Sequence, residues 1–204
     1  MGWYGRNIVP YIIKLGCGCQ MMAEHRQKIV PQARGRVLEL GIGAGANLVF
    51  YDARQVVEVV GIEPSVELRA MAAKAVRPEG LRVRIEDGVA EALPFGAGEF
   101  DTVVCTFTLC SVRDAGTTLA EARRVLKVGG VLLFHEHGRS PDPAVAKWQR
   151  RIEPVWARLF GGCHLTRAVG ASIGEYFTLE EIDRFYGRGP RVASWMEAGR
   201  AVVA

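Results

Sequence analysis

Short apolar runs alternate with amphipathic stretches along most of the chain. Runs of strand length begin near Val37, Val56, Thr102 and Val131, and each is too short to form a buried helix. Over residues 117–126, apolar side chains recur instead at helical spacing. Strands that alternate with helices favour a parallel sheet with both faces covered. The pattern therefore predicts a doubly wound α/β fold.

The two ends of the chain carry less regular patterns. Residues 3–30 fit a helix with glycine interruptions, and Pro31 ends it. Near the other end, residues 177–186 and 195–203 fit the last two strands of the sheet. Residues 178–182 fit a capped helical turn equally well, so the pattern leaves both interpretations open.

Residues 141–170 form an insertion before the last strands. Five apolar side chains lie on one face of a helix within it, whereas the basic side chains lie mostly elsewhere, and Pro154 predicts a kink. Such a helix covers a substrate, lies on a membrane surface or packs against the core, and the sequence leaves these alternatives open. The apolar face comprises Val145, Trp148, Ile152, Val155 and Leu159.

A glycine-rich turn follows the first strand. Gly41, Gly43 and Gly45 alternate, and the chain continues through Asn47 into what the pattern predicts to be the start of a helix. Glycines are needed where the backbone adopts a positive φ angle or approaches a ligand closely, because a Cβ excludes both. The turn is therefore predicted to bind a cofactor.

Glu39 decides between two kinds of cofactor. Gly41-x-Gly43-x-x-Ala46 fits the dinucleotide fingerprint, and Glu63 lies at about the spacing expected of a ribose-binding acid. However, a carboxylate two residues before the first glycine suits a cationic ligand better than a pyrophosphate. Glu39 therefore disfavours a nicotinamide-dependent oxidoreductase.

The spacing Glu39-x-Gly41-x-Gly43-x-Gly45 resembles motif I of the class I S-adenosylmethionine (SAM) methyltransferases. This resemblance implies SAM as cofactor and a Rossmann-like, seven-stranded, mostly parallel sheet with an antiparallel last strand. It also implies a helical lid at residues 1–34, with Tyr4 as a candidate substrate contact. In that family the acid equivalent to Glu39 approaches the methionine end of SAM, usually through its amine.

The second strand ends at Glu63, whose carboxylate can accept both ribose hydroxyls in bidentate fashion. Pro64 and Ser65 follow, and Ser65 fits a helix cap as well as a cofactor contact. Residues 87–95 resemble the adenine loop of ubiquinone-biosynthesis-like methyltransferases, although Val89 stands where that family has Asp. The adenine contacts are therefore expected from backbone groups or from a neighbouring acid. The candidates are Gly88, Val89, Ala90 and Glu91.

Three later motifs resemble one particular group of methyltransferases. Residues 105–112, 124–130 and 162–167 look like a methyltransferase-like group that includes membrane-associated alkyl-thiol methyltransferases. This similarity implies a thiol acceptor. Thr106 and Leu109 become candidate cofactor contacts, and the candidate substrate contacts are Tyr4, Cys110 and Trp148.

A polar cluster, His135-Glu136-His137, ends the fifth strand. Ligands of open α/β sheets bind outside the carboxyl ends of the strands, so this cluster is expected to face the transferred methyl group. His137 is the first candidate for the base that activates the acceptor, because histidine titrates near neutral pH. His135 and His164 are weaker candidates, and Arg167 is a candidate for stabilising an anionic acceptor.

Length and composition predict one domain over residues 1–204. The apolar share of 49% and charged share of 24% are those of a soluble globular protein. The net charge of +4 is scattered, so no nucleic-acid partner is expected. No signal peptide or membrane-spanning run is evident, and a cytoplasmic location is expected. Five cysteines without a regular framework indicate free thiols, and no metal site is assigned because no second CxxC-type pair completes a ligand set.

Together these observations predict a SAM-dependent methyltransferase for a small or lipophilic acceptor, with a thiol favoured by the resemblance. One alternative is methylation of a phospholipid head group or a quinol at nitrogen, oxygen or carbon, with peripheral membrane contact. Another is a SAM-binding module without catalysis. The sequence does not define the acceptor or the oligomeric state.

Overall fold

Seven strands form the centre of the computed structural model, which describes residues 8–11 and 20–203. Their order across the sheet is β3-β2-β1-β4-β5-β7-β6. Neighbours from β3 to β5 are parallel, and β7 is antiparallel to both β5 and β6. The strands are β1 (Gly35–Leu40), β2 (Val56–Ile62), β3 (Val83–Glu86), β4 (Phe100–Thr106), β5 (Leu126–His137), β6 (Thr178–Tyr186) and β7 (Trp195–Val202). The predicted doubly wound, mostly parallel sheet is confirmed.

Five α-helices lie within residues 20–203 and flank this sheet. They are α1 (Gln20–Ile29), α2 (Val66–Ala72), α3 (Ala115–Val125), α4 (Pro143–Leu159) and α5 (Val169–Tyr176). None of the helices in residues 8–11 and 20–203 is both long and apolar enough to cross a lipid bilayer. Residues 1–7 and 12–19, including Tyr4, Cys17 and Cys19, lie outside the described residues.

Alternate residues of the central strands enter two separate cores, because successive side chains of a strand point to opposite faces. On one face, Leu38 and Val103 pack with Leu119 of α3 and Ile173 of α5. On the other face, side chains from the same strands pack with α1, α2 and the segment after the glycine turn; these include Val37, Val104, Ile29 and Ala72. The sheet is thus buried on both sides, as its continuous apolar strands predict.

The glycine turn leads into a single 3-10 turn, Leu48–Phe50, so the predicted helix start is wrong. Asn47 precedes this turn without capping it, and Tyr51 after it has extended backbone angles. Both side chains bond instead to Glu39 at the end of β1. These tertiary bonds hold the segment in a turn where the apolar pattern favoured a helix.

At the end of the chain, β6 and β7 form the predicted antiparallel pair. Residues 178–182 belong to β6, so the alternative of a helical turn is wrong. Pairing with β7 satisfies backbone groups that a single helical turn leaves largely unpaired. Near the other end, α1 stops at Ile29 before Pro31, which lies in a 3-10 turn, Val30–Gln32.

A buried amide joins helix α4 to the segments that follow β5 and precede β7. Gln149 Nε2 donates to the carbonyl oxygens of Gly138 and Val192 at 3.0 Å each, and its Oε1 accepts from Ser140 N at 2.9 Å. The helix continues past Pro154. Much of its predicted apolar face is exposed, including Trp148, Val155 and Leu159.

Candidate active site

The glycine turn lies where the strand order reverses, between β1 and β4, which is the usual ligand crevice of such sheets. Gly41, Gly43 and Gly45 have φ angles of 62°, 56° and 81°, a conformation that disfavours any other residue. A Cβ on Gly41 would lie 2.5 Å from Thr108 Oγ1. At Gly43, by contrast, the nearest atom would be 3.8 Å away. Gly43 therefore leaves open space at the crevice, whereas Gly41 closes against the loop after β4.

Glu39 is a buried carboxylate beneath this turn. It accepts hydrogen bonds from Asn47 Nδ2 at 2.9 Å and from the Tyr51 hydroxyl at 2.7 Å. Burial raises its pKa to about 7, although these two bonds and the charge of Arg26 act in the opposite direction. Glu39 is thus held in a defined orientation and titrates close to neutral pH.

Asn47 connects Glu39 to two other elements. Its Nδ2 also donates to Thr106 Oγ1 at 3.0 Å, at the end of β4. Its Oδ1 accepts from Arg26 Nε at 2.8 Å, which brings α1 to the same network. Arg26 and Tyr51 were not predicted from the sequence, because an isolated arginine or tyrosine in an amphipathic stretch carries no local signal.

The carboxylate of Glu63 faces the glycine turn from the end of β2. Its Oε2 accepts from Gly43 N at 3.2 Å, and its Oε1 accepts from Ser65 N at 2.9 Å. Burial raises its pKa, against the effect of these bonds. Ser65 caps α2 by accepting from Leu68 N at 3.3 Å, which confirms the cap interpretation, and Pro64 is exposed beside it. Two predicted parts of the site, the turn and the second acid, therefore meet.

The predicted adenine loop follows β3, next to β2. A Cβ on Gly88 would be 3.3 Å from Ile62 Cγ2, so the loop passes close to the end of β2. Ala90 is buried, whereas Val89 is 45% exposed and bridges to Ala92. The Glu91 carboxylate accepts from Arg113 N at 2.7 Å, which fixes its orientation.

Glu136 organises the loop after β4. Its buried carboxylate accepts from the backbone nitrogens of Thr108 at 2.7 Å, Leu109 at 3.0 Å and Cys110 at 3.3 Å. Thr108 in turn donates from Oγ1 to Leu40 O at 2.9 Å, directly before the glycine turn. Burial raises the pKa of Glu136 to about 8. The glycine turn, the loop and the end of β5 therefore form one connected unit.

Three side chains from separate segments converge beside Glu136, and we call Cys110, His137 and Cys163 the thiol–imidazole cluster. Their ligand atoms all lie within 4.8 Å of one another, and His137 Nε2 is 2.9 Å from Cys163 Sγ. Trp156 Nε1 donates to the same sulfur at 3.2 Å. His137 was predicted from the sequence as a candidate base and Cys110 as a candidate substrate contact, but the contribution of Trp156 was missed.

Cys110 and His137 shift each other's pKa in opposite directions. A hydrogen bond from Cys163 and the charge of His137 lower the pKa of Cys110 well below its usual value, against the effect of burial. Burial lowers the pKa of His137, but the charge of Cys110 and a hydrogen bond to it outweigh burial and raise the pKa overall. Both directions favour a thiolate beside an imidazolium.

His135 lies in a box of aromatic rings. The ring centroids of Phe107 and His25 are 4.7 and 5.0 Å from its own, and that of Phe185 is 6.3 Å away. Neither ring nitrogen has a hydrogen-bond partner within the described part of the chain. Burial lowers the pKa of His135 to about 3, so its imidazole is neutral at physiological pH.

Three other predicted side chains are not members of the thiol–imidazole cluster. His164 is paired through Nδ1 with Glu153 Oε1 at 3.1 Å and is partly exposed. Arg167 donates to the carbonyl oxygens of Leu109 and Val112, which orients the loop that carries Cys110. Trp148 is 55% exposed, with Arg151 5.3 Å from its ring centroid.

Comparisons with known proteins show the family to which the chain belongs. Residues 38–134 match the family described as the methyltransferase domain. The chain is 39% identical over 136 residues to rat thiol S-methyltransferase TMT1B, covering 64% of this chain and 54% of that protein. It is 35% identical over 174 residues to human thiol S-methyltransferase TMT1B, covering 82% of this chain and 69% of that protein. The chain thus spans about half the length of the rat relative.

A solved structure gives the same fold. A SAM-dependent methyltransferase from Thermotoga maritima superposes with a TM-score of 0.66, covering 98% of each chain at 19% sequence identity. At that identity the likeness concerns the fold alone. The superposed part of this chain includes its seven-stranded sheet, which carries the glycine turn and the thiol–imidazole cluster.

Proposed function

Because the chain belongs to the family of SAM-dependent methyltransferases that includes these thiol S-methyltransferases, we propose that it transfers the methyl group of SAM to a small or lipophilic thiol. The observation that carries this proposal is the placement of the thiol–imidazole cluster. It lies at the carboxyl ends of β4 and β5 and connects through Glu136 and Thr108 to the glycine turn. Cofactor and acceptor are therefore proposed to meet at this edge of the sheet.

The cofactor is proposed to lie along the crevice from Glu39 to the loop after β3. Glu39 and Asn47 would receive the ammonium of the methionine end, because a buried carboxylate that titrates near neutral pH suits a cationic partner. Glu63 would accept the ribose hydroxyls, and residues 88–91 would contact the adenine. Thr106 and Leu109 would border the sulfonium from the end of β4.

The N-terminal segment is proposed to act as a lid. Its described part, α1, already contributes Arg26 to the Asn47 network and His25 to the aromatic box around His135. Closure over SAM would exclude water from the reacting groups, which strengthens the electrostatic interactions among them.

Methyl transfer is proposed to occur as one in-line displacement. The acceptor sulfur forms a bond to the methyl carbon while the bond from that carbon to the sulfonium sulfur breaks, and neutral S-adenosylhomocysteine leaves. Alignment of the two sulfur atoms can contribute roughly 7 to 11 kcal/mol by proximity. The acceptor reacts as a thiolate, so the site must also favour loss of its proton. We assign that task to the thiol–imidazole cluster, with His137 as the group in it that the sequence predicted.

The exposed apolar side chains of α4 favour a second candidate function. Trp148, Val155 and Leu159 face outward, which suits contact with a membrane surface. The acceptor would then be a phospholipid head group or a quinol. Stimulation of activity by vesicles would support this candidate, whereas turnover of dissolved thiols without lipid would count against it.

The test combines cofactor binding with product detection. Calorimetric titration is expected to show binding of S-adenosylhomocysteine and none of NAD. With SAM and a panel of thiols, phosphatidylethanolamine and a quinol, we expect a methylated thiol. The variant His137→Ala is expected to bind S-adenosylhomocysteine as the unmodified protein does but to lose most methyl transfer. Binding without turnover of any acceptor would indicate a SAM-binding module and would refute the proposed activity.

A further inference from the structure

The thiol–imidazole cluster has the composition and spacing of a metal centre. Two thiols and one imidazole are the ligands that zinc prefers, and catalytic zinc sites keep three protein ligands and one open position. Tetrahedral zinc with these ligands separates the donor atoms by about 3.5 to 3.8 Å. In the structure His137 Nε2 and Cys163 Sγ are 2.9 Å apart and all three donor atoms lie within 4.8 Å of one another, so the cluster is close to the size that zinc requires.

The segments that carry these ligands are fastened to one another. His164 N donates to Cys110 O at 2.8 Å, so the backbone after Cys163 is bonded directly to the loop after β4. Gly161 and Gly162 have φ angles of 65° and 88°, and this turn brings the chain from α4 back to that loop. Because Glu136 holds the backbone nitrogen of Cys110, the ligand positions are built by interactions outside the cluster itself.

Two polar features of the cluster allow an ion to bind. His137 Nδ1 is buried without a hydrogen-bond partner among the described residues, so no protein contact at that nitrogen fixes the tautomer, and Nδ1 can carry the proton while Nε2 binds the ion. Cys163 Sγ accepts from the Trp156 indole at 3.2 Å, a contact suited to a sulfur that carries negative charge. A dication with two thiolates and a neutral imidazole has no net charge, which keeps the electrostatic cost of burial low.

We propose that Cys110, His137 and Cys163 bind a zinc ion whose fourth position is open to the acceptor thiolate. The second part of this inference rests on the proposed function, whereas zinc binding does not. In this arrangement His137 is a ligand, and the thiol acceptor loses its proton to solvent when its sulfur coordinates the ion. The thiolate has one unit of negative charge and the sulfonium of SAM has one unit of positive charge, so the reacting pair is neutral.

Cobalt(II) titration of the reduced protein, without cofactor or acceptor, tests the site. We expect one cobalt per chain, a sulfur-to-cobalt charge-transfer band and displacement of cobalt by zinc. Cys110→Ser and Cys163→Ser are each expected to weaken cobalt binding by roughly a hundredfold, since even outer partners of a ligand change affinity 10- to 100-fold. Cys105→Ser is the matched control: Cys105 is also buried and lies 3.4 Å from Glu136, but it is outside the cluster, so binding should be unchanged.

Three results would overturn the site: no charge-transfer band, a band that survives both Cys110→Ser and Cys163→Ser, or a band removed only by the double variant Cys17→Ser/Cys19→Ser. Variants that misfold would be recognised by loss of S-adenosylhomocysteine binding. X-ray absorption of the zinc-loaded unmodified protein then decides, because two sulfurs at about 2.3 Å and a nitrogen at about 2.0 Å are required.

Addition of a small alkyl thiol to the cobalt-loaded protein tests the open position. A change in the visible cobalt bands is expected as the thiolate coordinates. Unchanged bands would refute acceptor coordination and leave a structural ion. If cobalt binds but no thiol is methylated, the proposed function fails while the metal site stands, so the two failures are distinguishable.

Discussion

Replacement of Glu39 by glutamine removes the charge beneath the glycine turn while keeping its shape. Glutamine can accept from Asn47 Nδ2 with its oxygen and donate from its amide to the Tyr51 hydroxyl, because a tyrosine hydroxyl accepts as well as donates. The two hydrogen bonds around the side chain are therefore expected to survive. Any difference between Glu39→Gln and the unmodified protein is therefore expected to come from the lost negative charge.

The magnitude follows from the raised pKa of Glu39. Burial raises it from 4.5 to about 7, so between these values the folded chain holds a proton that the unfolded chain has released. Stability from this group is thus fully present below pH 4.5 and is lost as the pH rises through 7. The loss amounts to about 3 kcal/mol, at 1.36 kcal/mol for each unit. Glutamine does not titrate, so Glu39→Gln lacks this loss. The difference in free energy of unfolding, variant minus unmodified protein, should therefore rise by about 3 kcal/mol from pH 4.5 to 8.

Urea unfolding of both proteins across this pH range measures the difference in free energy of unfolding. The contributions of other titrating groups are the same in both proteins and cancel in that difference. Calorimetry with S-adenosylhomocysteine should show an affinity that increases with pH through 7 in the unmodified protein. In Glu39→Gln it should be weaker by about tenfold or more, since a hydrogen bond to a charged group is worth about 1.5 to 3 kcal/mol. The exposed Glu79→Gln is the control and should change neither quantity. Equal pH dependence of stability in Glu39→Gln and the unmodified protein would refute the reasoning.

Four further substitutions test other parts of the structure. Gly43→Ala should lower the free energy of unfolding by about 1 to 2 kcal/mol, because alanine is disfavoured at a positive φ angle, and should weaken S-adenosylhomocysteine binding in calorimetry. Gly41→Ala should unfold at a lower urea concentration, because its Cβ would collide with Thr108. Glu136→Ala should lower the unfolding free energy by about 2 kcal/mol or more, because three buried backbone donors lose their acceptor; an unchanged urea midpoint would contradict this. Phe134→Ala should cost about 3 to 5 kcal/mol by opening a cavity in a fully buried position, measured in the same way.

Much of the fold follows from local patterns. The two strands that end at the first two acids and the helix after Glu63 were predicted correctly, because buried parallel strands and capping residues each depend on neighbours in the chain. Ser65 is an example: a serine before a helix satisfies a backbone nitrogen three residues later, whatever surrounds it. The same holds for Gly43, whose positive φ angle belongs to the turn itself. The roles proposed for these residues in cofactor binding stay predictions.

Contacts between distant segments were decided by the tertiary structure alone. The segment after the glycine turn is a 3-10 turn because Asn47 and Tyr51 bond to Glu39, and an apolar run does not reveal such bonds. Arg26 reaches Asn47 from a helix 21 residues earlier. Trp148, which shares the apolar face of α4, is exposed, whereas the neighbouring Gln149 is buried because its amide bonds to Gly138 and Val192.

The sequence by itself determined a doubly wound sheet with a glycine turn between two acids, since periodicity and backbone conformation are local properties. Only the tertiary structure decided that Cys110, His137 and Cys163 meet and that Glu136 fixes the loop beside them. Cys110, His137 and Cys163 lie 26 or more positions apart along the chain. Their separation in space depends on how the ends of β4, β5 and α4 pack, and no pattern within one segment encodes that distance.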